Sequence, residues 1–249
     1  MRIVYVLLFC LAFTACKKDN PQMPEPAPAP APVLSVSAQN RQSFFQLLNS
    51  GSAKIACEGT SLTYGQNVTE KDITPAPTGY PAASKRSVLP YPAALKAALS
   101  AANRKANVVS RGFPGDRTTE GLKRWADSTS ASLTIIEFGT NDAYNFAGYS
   151  DGTVDTAHFH ANLNTMVQRR LAQKSWVILC LPPDLSVGSK DLVPYRSVIR
   201  QVAKQYEVPV FDVQAGLNGI GNIWSDMVHL NNKAYKKWGE DIAAFVLAN

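Results

Sequence analysis

The chain has 249 residues, 45% of them hydrophobic and 18% charged. That is enough apolar material for one globular domain with a real core, and too much for a disordered chain. The net charge of +6 is a modest excess, and no Lys/Arg run is interleaved with aromatic residues, so nothing here supports nucleic-acid binding.

Residues 1–15 read as a targeting segment. Arg2 supplies the positive end, and Ile3 to Phe13 form an apolar run of eleven residues, too short to span about 30 Å of hydrocarbon as a helix. Phe13-Thr14-Ala15-Cys16 then places small residues before a cysteine. This resembles a bacterial lipobox, with Phe13 where Leu is usual and Cys16 as the lipidated mature N-terminus. A plain secretory signal cut nearby is the alternative. Residues 16–36 read as a tether: Pro21, Pro24, Pro26, Pro28, Pro30 and Pro32 alternate with small or polar residues. Such a tract cannot fill a core and favours polyproline II, where twelve residues at about 3.1 Å each reach roughly 35–40 Å. The expected localisation is therefore the cell envelope, with the membrane engaged through the lipid; secretion is the alternative. Lys17 after the cysteine resembles lipoproteins sorted to an outer membrane. Cys10 falls in the segment to be removed.

From residue 37 to 249 the pattern becomes one domain of alternating strands and helices. Apolar runs at 53–57, 107–110, 133–138, 176–181 and 208–213 suit parallel strands buried on both faces. Cys57 and Cys180 lie in two of these runs and read as buried free thiols, with a disulfide as the alternative. Phe159, Leu163, Met166, Val167 and Leu171 follow helical spacing before the fourth run. Val198, Ile199, Val202 and Tyr206 do so before the fifth, and Tyr235, Trp238, Ile242, Phe245 and Val246 mark a closing helix. These stripes are core-facing surfaces. The fold expected is a three-layer α/β/α sandwich with a five-stranded parallel sheet, in which chemistry sits beyond the C-terminal strand ends.

Four segments occupy such positions. The first run leads into Glu58-Gly59-Thr60-Ser61-Leu62-Thr63-Tyr64-Gly65. A serine there can begin a helix, with backbone N–H groups aimed at a developing anion, or it can be a simple helix cap. It is not the Gly-x-Ser-x-Gly elbow, because Thr63 stands where the second glycine belongs. The second run ends in Phe113-Pro114-Gly115-Asp116, a tight loop in which a glycine N–H can approach a substrate, or an ordinary turn. The third ends in Gly139-Thr140-Asn141-Asp142, where the Asn141 amide can serve an oxyanion or cap a turn. Near the C-terminus, Asp226-Met227-Val228-His229 sets a carboxylate three residues before an imidazole. That spacing lets the carboxylate hold one ring nitrogen while the other takes a proton from a serine. His158 and His160 read as solvated positions at a helix start, and His229 has the better partner.

Together these segments resemble the SGNH (GDSL-type) hydrolase family over residues 53 to 245. Gly59 to Gly65 is similar to its first block, Phe113-Pro114-Gly115-Asp116 to its second, Gly139-Thr140-Asn141-Asp142 to its third and Asp226-Met227-Val228-His229 to its last. The resemblance implies a flavodoxin-like fold and a serine esterase working through an acyl-enzyme. Ser61 would be the nucleophile, His229 the base and Asp226 its orienting carboxylate. The oxyanion hole would be formed by Ser61, Gly115 and Asn141. It implies no cofactor and no metal. The implied substrate is a small-molecule or carbohydrate ester, foremost an acetylated envelope or extracellular carbohydrate. A lysophospholipid or other acyl ester, acyl transfer to a sugar hydroxyl, and glycan binding without catalysis are the alternatives. Tyr64, Phe113, Tyr144, Phe146 and Trp224 are candidate pocket walls. One position departs from the family: Thr60 stands where Asp is usual, so whatever that carboxylate organises must be organised otherwise.

Overall fold

The computed structural model describes residues 34–67, 73–75, 78–81, 84–189 and 191–249. The targeting segment with Cys10, the lipobox-like Cys16 and most of the proline tract lie outside the described residues. In chain order the elements are α1 (Val36–Asn49), β1 (Ala53–Gly59), α2 (Ser61–Tyr64), β2 (Ile73–Thr74), β3 (Arg86–Ser87), α3 (Tyr91–Ala101), β4 (Ala106–Gly112) and α4 (Thr118–Arg124). They continue with β5 (Leu133–Glu137), α5 (Thr140–Tyr144), α6 (Thr156–Ala172), β6 (Trp176–Leu181), α7 (Leu192–Tyr206), β7 (Val210–Asp212), α8 (Val213–Leu217) and α9 (Asn232–Ala248).

The five long-range strands form one all-parallel sheet in the order β4-β1-β5-β6-β7. Successive side chains point to opposite faces, and both faces are apolar. Ile55, Cys57, Leu133, Ile135, Trp176, Ile178 and Cys180 join a core with Phe44 of α1, Leu95 and Leu99 of α3, and Trp238 and Ile242 of α9. Ile136, Val177, Leu179 and Leu181 join a second core with Phe159, Leu163 and Val167 of α6 and Val198, Ile199 and Val202 of α7. The three-layer sandwich expected from the sequence is therefore present. Helices α3 and α9 lie close enough that a Cβ on Gly239 would sit 2.3 Å from the Ala94 Cβ. Beside that contact Tyr91 stacks on Trp238 with centroids 4.0 Å apart.

Several boundaries differ from the apolar runs. β1 and β4 extend to Gly59 and Gly112, and these glycines pair across the ladder. β5 stops at Glu137, which pairs with Gly59, so Phe138 lies beyond it. β7 is only Val210–Asp212: Pro209 has no N–H for a ladder, and the Asp212 side chain accepts from Ala215 N–H to start α8. The periodicity also hid α1, because its buried face includes Ser37 and Asn40. Their side chains donate to the carbonyls of Glu207, Leu171 and Ser175. Cys57 and Cys180 are free and buried, and burial pushes the Cys57 thiol up to about 12 and raises that of Cys180 as well. Neither is a nucleophile at neutral pH.

The strand order reverses about β1, which places a crevice between the C-terminal ends of β4, β1 and β5. Below it, Glu58 of β1 turns to the α6 side and meets Arg170, at 2.7 Å and 3.1 Å, with both side chains almost fully buried. Arg170 also donates to the carbonyls of Trp125 and Asp127. Burial pushes the Glu58 carboxyl up despite the guanidinium groups of Arg170 and Arg111. Removing one partner strands the other. Arg170→Met is expected to lower stability in urea denaturation by about 3–5 kcal/mol, and Arg170→Met combined with Glu58→Met by much less.

Candidate active site

Ser61 opens α2, a helix of one turn. Thr60 is its N-cap, in extended conformation, with Oγ1 accepting from Leu62 N–H at 3.2 Å. Gly65 closes it at φ +87°, its N–H donating to Ser61 O. Any side chain there would meet both the left-handed backbone and Pro90, whose Cβ would lie 2.3 Å away. Gly112 has the same steric role on the other flank, since a Cβ on it would lie 2.1 Å from Tyr64 N. The turn that carries Ser61 is thus packed backbone to backbone against the end of β4.

His229 and Asp226 come from the loop before α9. This loop is closed by a Trp224–Leu230 bridge and by Ser225 N–H donating to His229 O at 2.8 Å. Asp226 Oδ1 accepts from the backbone N–H groups of Val228 and His229, at 2.8 and 2.6 Å. Its Oδ2 lies 2.7 Å from His229 Nδ1, and His229 Nε2 lies 2.9 Å from Ser61 Oγ. Burial pushes the Asp226 carboxyl up, but the imidazole and the two N–H groups outweigh it and bring it to about 2. Asp226 is therefore ionised and can only accept. Nδ1 must carry the proton, and Nε2 is left with the lone pair that faces the Ser61 hydroxyl.

Gly115 and Asn141 line the same cavity as these three residues, a volume of about 630 Å³. Gly115 is at φ +86° in the turn after β4. Asn141 lies in the first turn of α5 and donates from Nδ2 to Asp116 O at 2.9 Å, which fixes the amide plane and leaves its second hydrogen unspent. Asp116 is held in turn by Arg124 at 2.7 and 3.0 Å, and the Arg124 guanidinium lies 3.5 Å over the Phe113 ring. Asp142, the neighbour of Asn141, accepts from Thr118 N–H and Oγ1 at 2.8 and 2.5 Å. The second and third blocks are bolted together by these contacts.

All five residues expected to form the site therefore come together, while Cys16 lies outside the described residues. The aromatic candidates divide. Phe146 lines the cavity and is 45% exposed, with Tyr144 stacked behind it. Trp224 packs on the core beneath α9. Tyr64 and Phe113 sandwich Tyr80 at 4.8 and 4.9 Å, and Tyr64 donates to Ser84 O. That ladder holds the segment whose Pro81 and Ser84 form one cavity wall. The Asp-x-x-His spacing does not single out His229. Asp155 stands likewise before His158, and the two meet at 2.6 Å, but on the exposed start of α6. Proximity to Ser61, not spacing, distinguishes the two pairs.

Residues 57–237 match the model of the GDSL-like lipase/acylhydrolase family. The chain belongs to that family. It is accordingly a hydrolase acting on ester bonds. The fold is shared with an aryl esterase of M. smegmatis (TM-score 0.58, 19% identity, 79% of this chain and 99% of that one). It is also shared with the acetylxylan esterase Axe2 of Geobacillus stearothermophilus (0.60, 18%, 78% and 94%). A third similar structure is Est24, a carbohydrate acetylesterase of Sinorhizobium meliloti (0.59, 18%, 79% and 99%). No curated protein matches the chain.

One group under the site was missed by sequence reasoning. Glu137 lies at the end of β5, fully buried, with Oε2 accepting from Thr60 N–H, Thr60 Oγ1 and Thr63 Oγ1. An acidic residue closing an apolar strand was the available signal. Burial pushes its carboxyl up to about 7 against these donors, and burial likewise raises Asp142 to about 6. Both acids bind a proton more tightly folded than unfolded, where values near 4.5 and 3.8 apply. Their ionisation therefore costs stability, which is greatest with both protonated and falls as pH rises through about 6 and 7. Asp226 acts in the opposite sense, but only below its ordinary 3.8. The melting temperature is expected to fall between about pH 4 and pH 7 and to level off above that, and to fall less in Glu137→Gln, as measured by calorimetry across that range.

Proposed function

We propose that the protein is a serine esterase that removes short acyl groups, acetyl foremost, from carbohydrate hydroxyls through an acyl-enzyme. The observation that carries this is the continuous relay from Asp226 Oδ2 through His229 to Ser61 Oγ, at 2.7 and 2.9 Å, opening into a cavity shared with Gly115 and Asn141.

Ser61 Oγ attacks the ester carbonyl carbon as its proton passes to His229 Nε2. The charge that develops on the carbonyl oxygen is met by the N–H groups of Ser61 and Gly115 and by the free hydrogen of the Asn141 amide. Asp226 stabilises the imidazolium. Collapse breaks the bond to the alcohol, which leaves with the proton from Nε2. Water then gives its proton to Nε2 and its oxygen to the acyl carbon. The second collapse returns the proton to Ser61 and releases the acid.

The preference for a short acyl group rests on Ala147. A Cβ built on Gly115 would fall 3.1 Å from the Ala147 Cβ, so the space beside the oxyanion glycine is shallow. The preference for a sugar rests on the cavity mouth. Exposed Phe146 and Met227 offer apolar surface to a ring face, and Gln66 and Ser84 offer hydrogen bonds to hydroxyls. The similarity to an acetylxylan esterase and a carbohydrate acetylesterase points the same way. In this reading lipid on Cys16 and the proline-rich tract hold the domain at the cell envelope.

A panel of acetylated xylose and glucosamine derivatives, 4-nitrophenyl esters from acetate to palmitate, and a lysophospholipid tests the proposal. Acetyl esters are expected to be cleaved fastest, with Ser61→Ala inactive and folded. Asn141→Ala is expected to lose about 10²–10³ in kcat. Undiminished hydrolysis by Ser61→Ala overturns the mechanism. A preference for long chains overturns the substrate, and acetyl transfer to an added sugar acceptor in place of release reassigns the reaction.

A further inference from the structure

Glu137 touches no part of the cavity, yet Thr60 and Thr63 of the Ser61 turn donate three hydrogen bonds to it. The geometry points to Glu137 as a positioning residue for the nucleophile: through Thr60 and Thr63 it fixes the backbone that presents the Ser61 hydroxyl and N–H. This rests on the esterase reading above.

Three observations carry the inference. First, the ladder register sets Gly59 opposite both Gly112 and Glu137, so the carboxylate leaves the sheet at the level where the chain turns into α2. Second, one oxygen collects three donors: Thr60 N–H at 3.3 Å, Thr60 Oγ1 at 2.9 Å and Thr63 Oγ1 at 3.0 Å. These residues flank Ser61 on both sides. Thr60 Oγ1 also accepts from Leu62 N–H, so a single chain of hydrogen bonds runs from Glu137 through the N-cap into the helix. Third, the sheet makes room for the contact. A Cβ on Gly59 would lie 2.2 Å from Thr63 Oγ1 and 2.9 Å from Glu137 Oε2. The glycine before the nucleophile is therefore required by this bond as well as by the turn.

The surroundings say what the carboxylate is not doing. Its face of the sheet carries Cys57, Cys180, Tyr91 and Tyr235, all buried, and no cation balances it there among the described residues. A carboxylate in such a place costs stability, so a pure packing role would be better served by leucine. What the acid supplies is an acceptor oxygen at a fixed point, and a neutral acyl oxygen in the same place supplies that too. A displacement of the nucleophile by a fraction of an ångström to 1 Å costs up to about 10²-fold in rate without affecting substrate binding.

The test compares Glu137→Leu, which deletes the acceptor, with Glu137→Gln, which keeps an oxygen for the three donors. With 4-nitrophenyl acetate, Glu137→Leu is expected to lose on the order of 10–100-fold in kcat with KM within about twofold. Glu137→Gln is expected to recover most of that loss. Wild-type kcat in Glu137→Leu, or an equal loss in both, overturns the inference. Should Glu137→Leu not fold by circular dichroism, Thr60→Val against Thr60→Ser decides. Loss of kcat in the valine variant and recovery by serine support the inference, and equal kcat in the two overturns it. A wild-type protein that hydrolyses none of the esters instead overturns the esterase reading, and this inference with it. An active wild type with indifferent variants overturns this inference alone.

Discussion

A helix of one turn cannot hold itself together: its nucleation cost exceeds what so few hydrogen bonds return. Ser61 nonetheless sits on such a helix, so the shape of its turn is imposed from outside. The constraint is close approach of neighbouring groups at three glycines. Gly112 admits Tyr64 N, Gly65 admits Pro90, and Gly59 admits the contact between Thr63 and Glu137. Each leaves the space of a side chain to a neighbouring backbone, ring or hydroxyl atom. The cavity, the Asp226–His229–Ser61 chain of contacts, Gly115 and Asn141 are all grouped about that wedged turn.

Electrostatics divides the acidic residues of the site by function. Asp226 is partly exposed and is kept ionised by the imidazole and two N–H groups, which fixes the tautomer of His229. Glu137 and Asp142 are buried, and burial raises both. They serve as acceptors for hydroxyl and N–H groups that join one block to another. In the proposed reaction the first acid prepares a proton transfer. The other two hold geometry and give up some stability in doing so.

The sequence was most legible where burial acts on both faces of an element. The runs at 133–138 and 176–181 lie within a residue of β5 and β6 because short, mostly apolar runs suit strands buried on both faces. It was least legible where polar side chains are buried by specific partners. Helix α1 was missed because Ser37 and Asn40 face inward, satisfied by carbonyls more than a hundred residues away. The end of β7 was misjudged because Asp212 both ends the strand and caps α8. At the site, the five residues expected to converge do so, since each lies in a short block at a strand end or in the final loop. Thr60 appeared as a missing carboxylate. A carboxylate does accept from Thr60, that of Glu137 on the neighbouring strand, and no local pattern around Thr60 could have announced a partner 77 residues away. The two Asp-x-x-His pairs are alike in sequence, and only the fold brings one of them to a serine.

In the proposed reaction Ser61 is a nucleophile activated by His229. Treating the protein with a fluorophosphonate and locating the adduct by intact and peptide mass spectrometry tests this at the reacting atom. One stoichiometric adduct is expected, on Ser61, forming at least about 10²-fold more slowly in His229→Ala. An unmodified Ser61, an adduct elsewhere, or equal rates in the two proteins would contradict it.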